Sequence, residues 1–397
     1  MDDKIKVLVL VDHAVGRTGA HRNVVGILNA LSRRDDVNVR LLCGKIDPGE
    51  PYARSGRIDI RLGFEPHRAS SLVENLFRVR HALSDRELVY VPSGLKAFLY
   101  ATACRGRRAL VAGPNVTGIP WVMNPYNPSP LMTTRMSDAW IEMSALRVQQ
   151  CVRAGTARHR IDLVAHAIDT EKFNPSWRDP NVWIAENLDP GRLKIISVGN
   201  FELEWKGWDV LLRAFRLIRS SVSAVDLVLV GKPGLPVASA GAAEPGLCVL
   251  GARFGADLCR LLASSDVFLG TSRYETFWFP PLEAMASGVA VVASNVGALP
   301  TMIKDGVQGR AIQIVDPTTD RYLSDAPRRL AAAVVPLLLD GKARQEMASS
   351  GRARAAEAFS EAALGARLAL VFRKAMKRLA DRRLETHGEV RIGGITD

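Results

Sequence analysis

Short runs of β-branched residues alternate with stretches of helical period from one end of the chain to the other, and this alternation limits the fold more than any single motif. Strands joined through helices cannot pair as tight hairpins; they lie parallel, with the helices covering the sheet. In the first half, strands are expected near Lys6–Val11, Val37–Leu42, Ile58–Leu62, Leu88–Val91, Ala109–Ala112, Trp140–Met143 and Asp162–Ala165, with helices such as "HRNVVGILNALSRR" and "SSLVENLFRVRHAL" between them. The pattern restarts with strand "KIISVG" and helix "GWDVLLRAFRLIRSS", followed by strands "DLVLVG", "CVLG", "DVFLG" and "VAVVAS" and helices "DLCRLLASS" and "LEAMAS". Between the halves, "DTEKFNPSWRDPNVWIAENLDPG" is rich in Pro, Asp and Asn and follows neither period, as a linker would. At 397 residues the chain exceeds the size of one hydrophobic core. The expected fold class is α/β: two doubly wound, Rossmann-like domains at 1–172 and 191–365, joined by a linker at 173–190. Ligands of open parallel sheets sit outside the carboxyl ends of the strands, so the two domains are expected to face a central cleft.

Hydrophobic residues make up 47% and charged residues 24% of the chain, the balance of a folded protein rather than a disordered one. No run approaches the roughly 20 apolar residues of a membrane-spanning helix. The opening "MDDKIKVLVLVD" places acidic residues ahead of a short apolar run and has no small-residue cleavage site. It reads as a buried first strand rather than a signal peptide, and a cytoplasmic location is expected. Five scattered cysteines without a C-x-x-C pair argue against a disulfide framework and a zinc knuckle alike. The net charge of +12 calls for an anionic partner. Arginines are spread through the chain rather than gathered beside aromatic platforms, so nucleic acid is not expected. A phosphorylated ligand is, and "RGRR" at Arg105–Arg108 suggests peripheral contact with an anionic membrane on the cytoplasmic face. The basic stretch "FRKAMKRLADRRLE" reads as a solvated helix face.

The stretch "SRYETFWFPPLEAMASG", Ser272–Gly288, sets Glu275 and Glu283 on either side of an aromatic cluster and a double proline. Proline suits a first helical turn and glycine ends helices, so a helix is expected from Pro280-Pro281 to Gly288 with Glu283 in its first turn. Amides and the dipole at that end favour a phosphate, and a carboxylate there can accept hydrogen bonds from the hydroxyls of a ribose. By itself, Glu283 is read equally well as a complement to the helix dipole. In "VGNFELEWKGWDVLLRAF" a strand ends at Gly199 and Lys206 opens the next helix, a point charge placed to neutralise a diphosphate, although a lone lysine is more often a surface residue. "VDHAVGRTGAHRNVV" joins a strand to a helix through Gly16 and Gly19 without G-x-G-x-x-G spacing, which does not support a nicotinamide-binding domain. No D-x-D triplet occurs. The nearest acidic triplets, at Asp85–Glu87 and Glu202–Glu204, read as surface or cap residues, and Glu202 lies close enough to Lys206 to keep a metal role open.

The segment "SRYETFWFPPLEAMASGVAVVASNVGALPTMIKDGVQG" resembles the donor-site signature of retaining GT-B glycosyltransferases of family 4, the glycosyl transferases group 1, with seven residues between its two glutamates. "TGAHRNVVGILNAL" is similar to that family's glycine loop and first helix, "AHAIDTEKFNP" to its end-of-first-domain motif, and "VGNFELEWKGWDVLLRAF" to its lysine loop. The resemblance implies the GT-B fold, with an acceptor-binding first domain, a donor-binding second domain and a C-terminal helix, 366–397, that crosses back to the first. It implies retaining transfer of a sugar from a nucleoside-diphosphate sugar to a glycan or lipid-linked acceptor. Lysine and helix-end amides can stabilise the leaving diphosphate, so neither a metal nor a further cofactor is expected. Glu275 and Lys206 are the implied catalytic residues, one beside the donor sugar and the other on the diphosphate. Glu283 would bind the ribose, Gly19 would let the amino-terminal loop approach, and Asn200, Thr276, Phe277, Trp278 and Phe279 would complete the donor site.

Several positions depart from that pattern. Asn200 stands where the family usually has arginine, and Thr18, Thr276 and Trp278 stand where it has glycine. Trp278 could stack on a sugar or block the pocket. The loop "GPNVTGIP" lacks the family's histidine, leaving Asn115 as the substitute acceptor or sugar contact, with His21 a second candidate. His21 and His166 otherwise read as hydrogen-bonded structural histidines. The departures keep an alternative in play: a degenerate GT-B protein that binds nucleotide or glycan without turnover.

Overall fold

The structure, a computed structural model, describes residues 4–14, 19–115, 129–234, 244–319 and 321–392. It divides into two compact units, 1–167 with 361–397, and 168–360.

The first unit contains β1 (Ile5–Leu10), β2 (His13–Ala14), β3 (Val37–Cys43), β4 (Lys45–Ile46), β5 (Ile58–Leu62), β6 (Leu88–Ser93), β7 (Ala109–Asn115), β8 (Ala139–Glu142) and β9 (Ile161–Leu163). Seven of them form one sheet in the order β5-β3-β1-β6-β7-β8-β9, and β2 pairs with β4 beside it. Every pairing in the large sheet is parallel. Strand β1 sends Val7 and Val9 into one core and Leu8 and Leu10 into the other, all fully buried. Burial on both faces is why it reads as a continuous apolar run and not as an alternation. The helix Glu361–Ile392 belongs to this unit: it packs on the helix Gly19–Ser32 and sets Phe372 against Tyr90 with ring centroids 5.4 Å apart. Its basic residues are not simply solvated. Arg373 pairs with Asp36 at 2.5 Å, Lys374 with Asp162 at 3.0 Å, and Arg382 with Asp138.

The second unit contains β10 (Leu193–Val198), β11 (Val225–Val230), β12 (Leu247–Gly251), β13 (Val267–Gly270), β14 (Ala290–Ser294) and β15 (Arg310–Ile312), in the parallel order β12-β11-β10-β13-β14-β15. Residues 173–190, expected to form a linker, are packed into this unit. They form a short helix, Asn181–Ala185, whose Trp183 is buried and donates its indole N–H to the Ser264 carbonyl at 3.2 Å. Asp179 N–H donates to Ser264 Oγ at 2.9 Å. A segment without period can still be ordered when one aromatic side chain anchors it.

In each sheet the winding reverses beside its first strand, at β1/β6 in the first unit and at β10/β13 in the second. Loops leaving the carboxyl ends of those neighbours diverge and leave a crevice where a ligand can sit.

Candidate functional site

The crevice of the second unit brings together residues far apart in sequence. Ile195 of β10 pairs with Val267 of β13, so the loop after β10 and the loop after β13 emerge side by side. The first carries Lys206, the last residue of the 3-10 turn Glu204–Lys206, and the second carries Glu275. Lys206 Nζ donates to Glu275 Oε1, and Ser272 Oγ donates to the same oxygen at 2.8 Å. Both side chains are largely withdrawn from water, with 16% of the lysine and 13% of the glutamate exposed. The lysine stem crosses Gly199, where a Cβ would lie 3.7 Å from its Cδ. After Lys206 the chain must turn sharply into the helix Trp208–Ser221. Gly207 does this at φ +66°, in a position where a Cβ would lie 2.6 Å from the Thr271 carbonyl oxygen. Thr271 Oγ1 donates to the carbonyls of Lys206 and Gly207 at 2.9 and 3.1 Å, and the Tyr322 hydroxyl donates to the Thr271 carbonyl at 2.9 Å. Thr271, Ser272 and Tyr322 thus fix the ion pair, and nothing in their local sequence marks them.

The helix after the aromatic cluster spans Phe279–Ala286, with Trp278 as its N-cap. Glu283 is therefore in its second turn and not its first. It is buried, only 1% exposed, as a group with a defined partner would be. Pro280 and Pro281 carry no N–H, so two of the donors a helix start usually leaves open for an anion do not exist. Trp278 adopts φ +64°, ψ +78°, a left-handed conformation rare outside glycine. It is 5% exposed, and its ring lies against Gly270 at the end of β13, where a Cβ would come within 2.6 Å of the indole. Its ring fills the space beside Gly270 at the end of the strand. Phe277 is buried and meets Phe279 at 5.1 Å between centroids, and Thr276 remains partly exposed. Gly297, at φ +59°, lets its turn approach the Glu275 carbonyl, where a Cβ would sit 2.5 Å from the oxygen.

Asn200, in place of the usual arginine, brings no charge to the loop. Its Oδ1 accepts the Glu202 N–H at 3.2 Å and shapes the loop ahead of Lys206. Glu202 itself lies 3.8 Å from Lys232 Nζ. Among the described residues no cluster of three or more His, Cys, Asp or Glu side chains could hold a metal ion. The five cysteines are free, and burial pushes the thiols of Cys43 and Cys151 up to about 12, where they are unreactive.

In the crevice of the first unit Gly19 begins the helix Gly19–Ser32, while residues 15–18, including Thr18, and the side chains of His21 and Asn115 lie outside the described residues. The carboxyl end of β1 instead presents Asp12, whose Oδ2 meets His67 Nε2 at 2.9 Å. Asp12 Oδ1 is buried with no hydrogen-bond partner among the described residues, and Gly94, at φ +91°, leaves room for the carboxylate. His166 is buried, and loss of hydration pulls its ring down to about 3, so it stays neutral. Of the "RGRR" arginines, Arg105 pairs with Asp138 at 2.7 Å and Arg108 donates to the Arg86 carbonyl at 2.9 Å, so much of that charge is committed within the unit. No helix among the described residues is long and apolar enough to cross a membrane.

Residues 192–340 match the family model described as glycosyl transferases group 1. The MMP alpha-(1->4)-mannosyltransferase of Mycolicibacterium hassiacum is 32% identical over 56% of this chain, a match that spans only 50% of that relative's length. The alpha-maltose-1-phosphate synthase of Mycobacterium tuberculosis is 26% identical over 90% of this chain and 95% of its own. The crystal structure of Anabaena Alr3699/HepE in complex with UDP and glucose superposes with a TM-score of 0.68, covering 92% of this chain and 98% of that one, at 17% identity. Two parallel α/β units with this strand order share the GT-B fold of the solved glycosyltransferase structures, and within the second unit residues 192–340 are similar to the glycosyl transferases group 1.

Proposed function

We propose that the chain transfers a sugar from a nucleoside-diphosphate sugar to a glycan or lipid-linked acceptor, as a retaining enzyme of family 4 type that needs no metal. The observation that carries this is the meeting of Lys206 and Glu275 at the β10/β13 switch point. Departure of the diphosphate from the sugar requires positive charge at the phosphates and negative charge beside the ring carbon that becomes electron-poor. Lys206 supplies the first and Glu275 the second, and neighbouring side chains hold both. Glu283 binds the ribose, in keeping with a carboxylate buried one helical turn from the crevice. With two helix amides replaced by proline and Asn200 in place of a cation, Lys206 carries most of the burden of the leaving group. A cytoplasmic location and peripheral membrane contact belong to the same proposal.

Those same losses favour a second reading, binding without turnover. Calorimetry with UDP, chosen first because the HepE crystals contain it, beside a UDP-sugar hydrolysis assay separates the two: UDP binding with no hydrolysis or transfer sinks the enzyme reading. Turnover in excess chelator is expected, and activity lost on chelation and restored by magnesium or manganese overturns metal independence. NMR of the first-formed product reads its anomeric configuration; inversion overturns the retaining assignment.

A further inference from the structure

The first unit leaves apolar surface where its helices would ordinarily be covered. The helix Leu72–Ala82 buries Val79 and Ala82 yet exposes Leu72 (55%), Val73 (62%) and Phe77 (70%), and the helix Leu95–Cys104 exposes Leu99 (52%). Two of them, Leu72 and Leu99, line one groove. Leu72 and Leu76 face Leu99 across a groove of about 440 Å³ between the two helices. Its floor is Tyr100, whose ring is held edge-on by Phe64 at 5.5 Å between centroids. His67, Arg68 and Lys96 form the rim, and no acidic side chain among the described residues lines the groove. Arg68 shares its charge with Glu65 at 2.9 Å, while Lys96 has no ion-pair partner among the described residues. His67 belongs both to the rim and to the contact with Asp12 at the carboxyl end of β1.

We propose that this groove binds one anionic lipid, its hydrocarbon chain between Leu72, Leu76 and Leu99 and its phosphate at Lys96 and Arg68, and that this lipid is the tail of the acceptor. The last clause rests on the transferase function proposed above; the groove itself does not. Its volume falls in the range of about 300–1,000 Å³ typical of small-ligand sites. The apolar side chains of Leu72, Leu76 and Leu99 and a basic rim meet in one groove, the two-part character of a single amphiphile with a hydrocarbon chain and an anionic head. Charge selects the head group: a basic rim with no lining acid favours a phosphate over a neutral or cationic head. The shared His67 places that head at the crevice of the β1/β6 switch point, where a hydroxyl presented for transfer would be held.

Calorimetry of the full chain with dodecyl phosphate, kept below its micelle concentration, tests this. One molecule per chain is expected to bind. Leu72→Gln with Leu99→Gln should weaken it at least about tenfold, and Lys96→Glu should weaken dodecyl phosphate about tenfold while leaving dodecanol unchanged. All three positions are exposed, so the fold should survive, as circular dichroism will verify. Non-saturating uptake, equal binding by parent and variants, or binding only to phosphatidylglycerol vesicles and not to monomer overturns the groove. UDP binding measured on the same variants keeps the two proposals apart. A failed groove with intact UDP binding leaves the transferase reading standing, and lipid binding without UDP binding does the reverse.

Discussion

Replacing Glu275 with glutamine is expected to tighten UDP binding while slowing sugar transfer. The carboxylate accepts from the ammonium of Lys206, so a diphosphate bound there must share that cation and meets a negative charge beside it. Two unit charges about 6 Å apart at an effective dielectric near 20 interact by roughly 3 kcal/mol. Water at a site still about one-seventh exposed screens about half of this; removing the charge should therefore strengthen UDP binding by about 1–2 kcal/mol, roughly 5–30-fold. Glutamine keeps the shape and can still accept from Ser272, which isolates the charge. Lys206→Met should act in the opposite sense, weakening UDP by about 1.5–3 kcal/mol for a lost charged hydrogen bond while barely touching uridine. Since the two side chains touch, the double variant should depart from additivity by about 0.5–3 kcal/mol. Calorimetry with UDP and uridine on the four proteins, beside kcat for transfer, gives every quantity. UDP affinity unchanged or weakened in Glu275→Gln, or equal losses of UDP and uridine in Lys206→Met, refutes the placement of the diphosphate at this pair.

Gly207→Ala should destabilise the second unit by more than the ~1–2 kcal/mol of a left-handed alanine, because its Cβ would also meet the Thr271 carbonyl; a urea transition that does not shift contradicts this. Trp278→Gly relieves a left-handed strain of about 1–2 kcal/mol but empties a buried indole site, a loss of about 3–5 kcal/mol, so net destabilisation of about 1–4 kcal/mol is expected in the same measurement. Glu283→Ala should chiefly raise KM for the donor, since ribose contacts are the same in ground and transition states; a fall in kcat alone argues against ribose binding. The His166 ring is held near 3 when folded and returns to about 6.5 when unfolded, so the unfolded chain takes the proton first and stability falls as pH drops from about 6.5 toward 3. The melting temperature of His166→Gln should fall less steeply over that interval, and parallel profiles would show that the ring is not the group responsible.

What the sequence makes legible follows the range of the interactions involved. Strands β1, β11 and β14 are recognisable because burial on both faces leaves runs such as "KVLVL" that need no partner to be read. The candidate residues Lys206, Glu275 and Glu283 stand out for their position after strands and beside turn residues. Their pairing does not, because it depends on which strand lies next to β10, and the separation of 69 positions from lysine to glutamate carries no trace of that. The double proline misplaces the helix start. Proline marks a first turn, but not which of its residues comes first, and Glu283 consequently sits deeper than its local sequence suggests. In residues 173–190 a single buried indole, Trp183, overrides a composition that otherwise reads as loop. Arg105 and Arg108 look like a charged patch only until the oxygens that take their N–H groups are known.

Trp278 and Gly270 occupy one volume between them. Any side chain at 270 would collide with the indole, and any small residue at 278 would leave a hole beneath the glycine. Single-step substitution at either position is therefore disfavoured in both directions, and the pair behaves as a ratchet. A lineage that has acquired the tryptophan can return to the glycine-rich turn only by passing through a less stable intermediate, so the two positions are expected to change together or not at all.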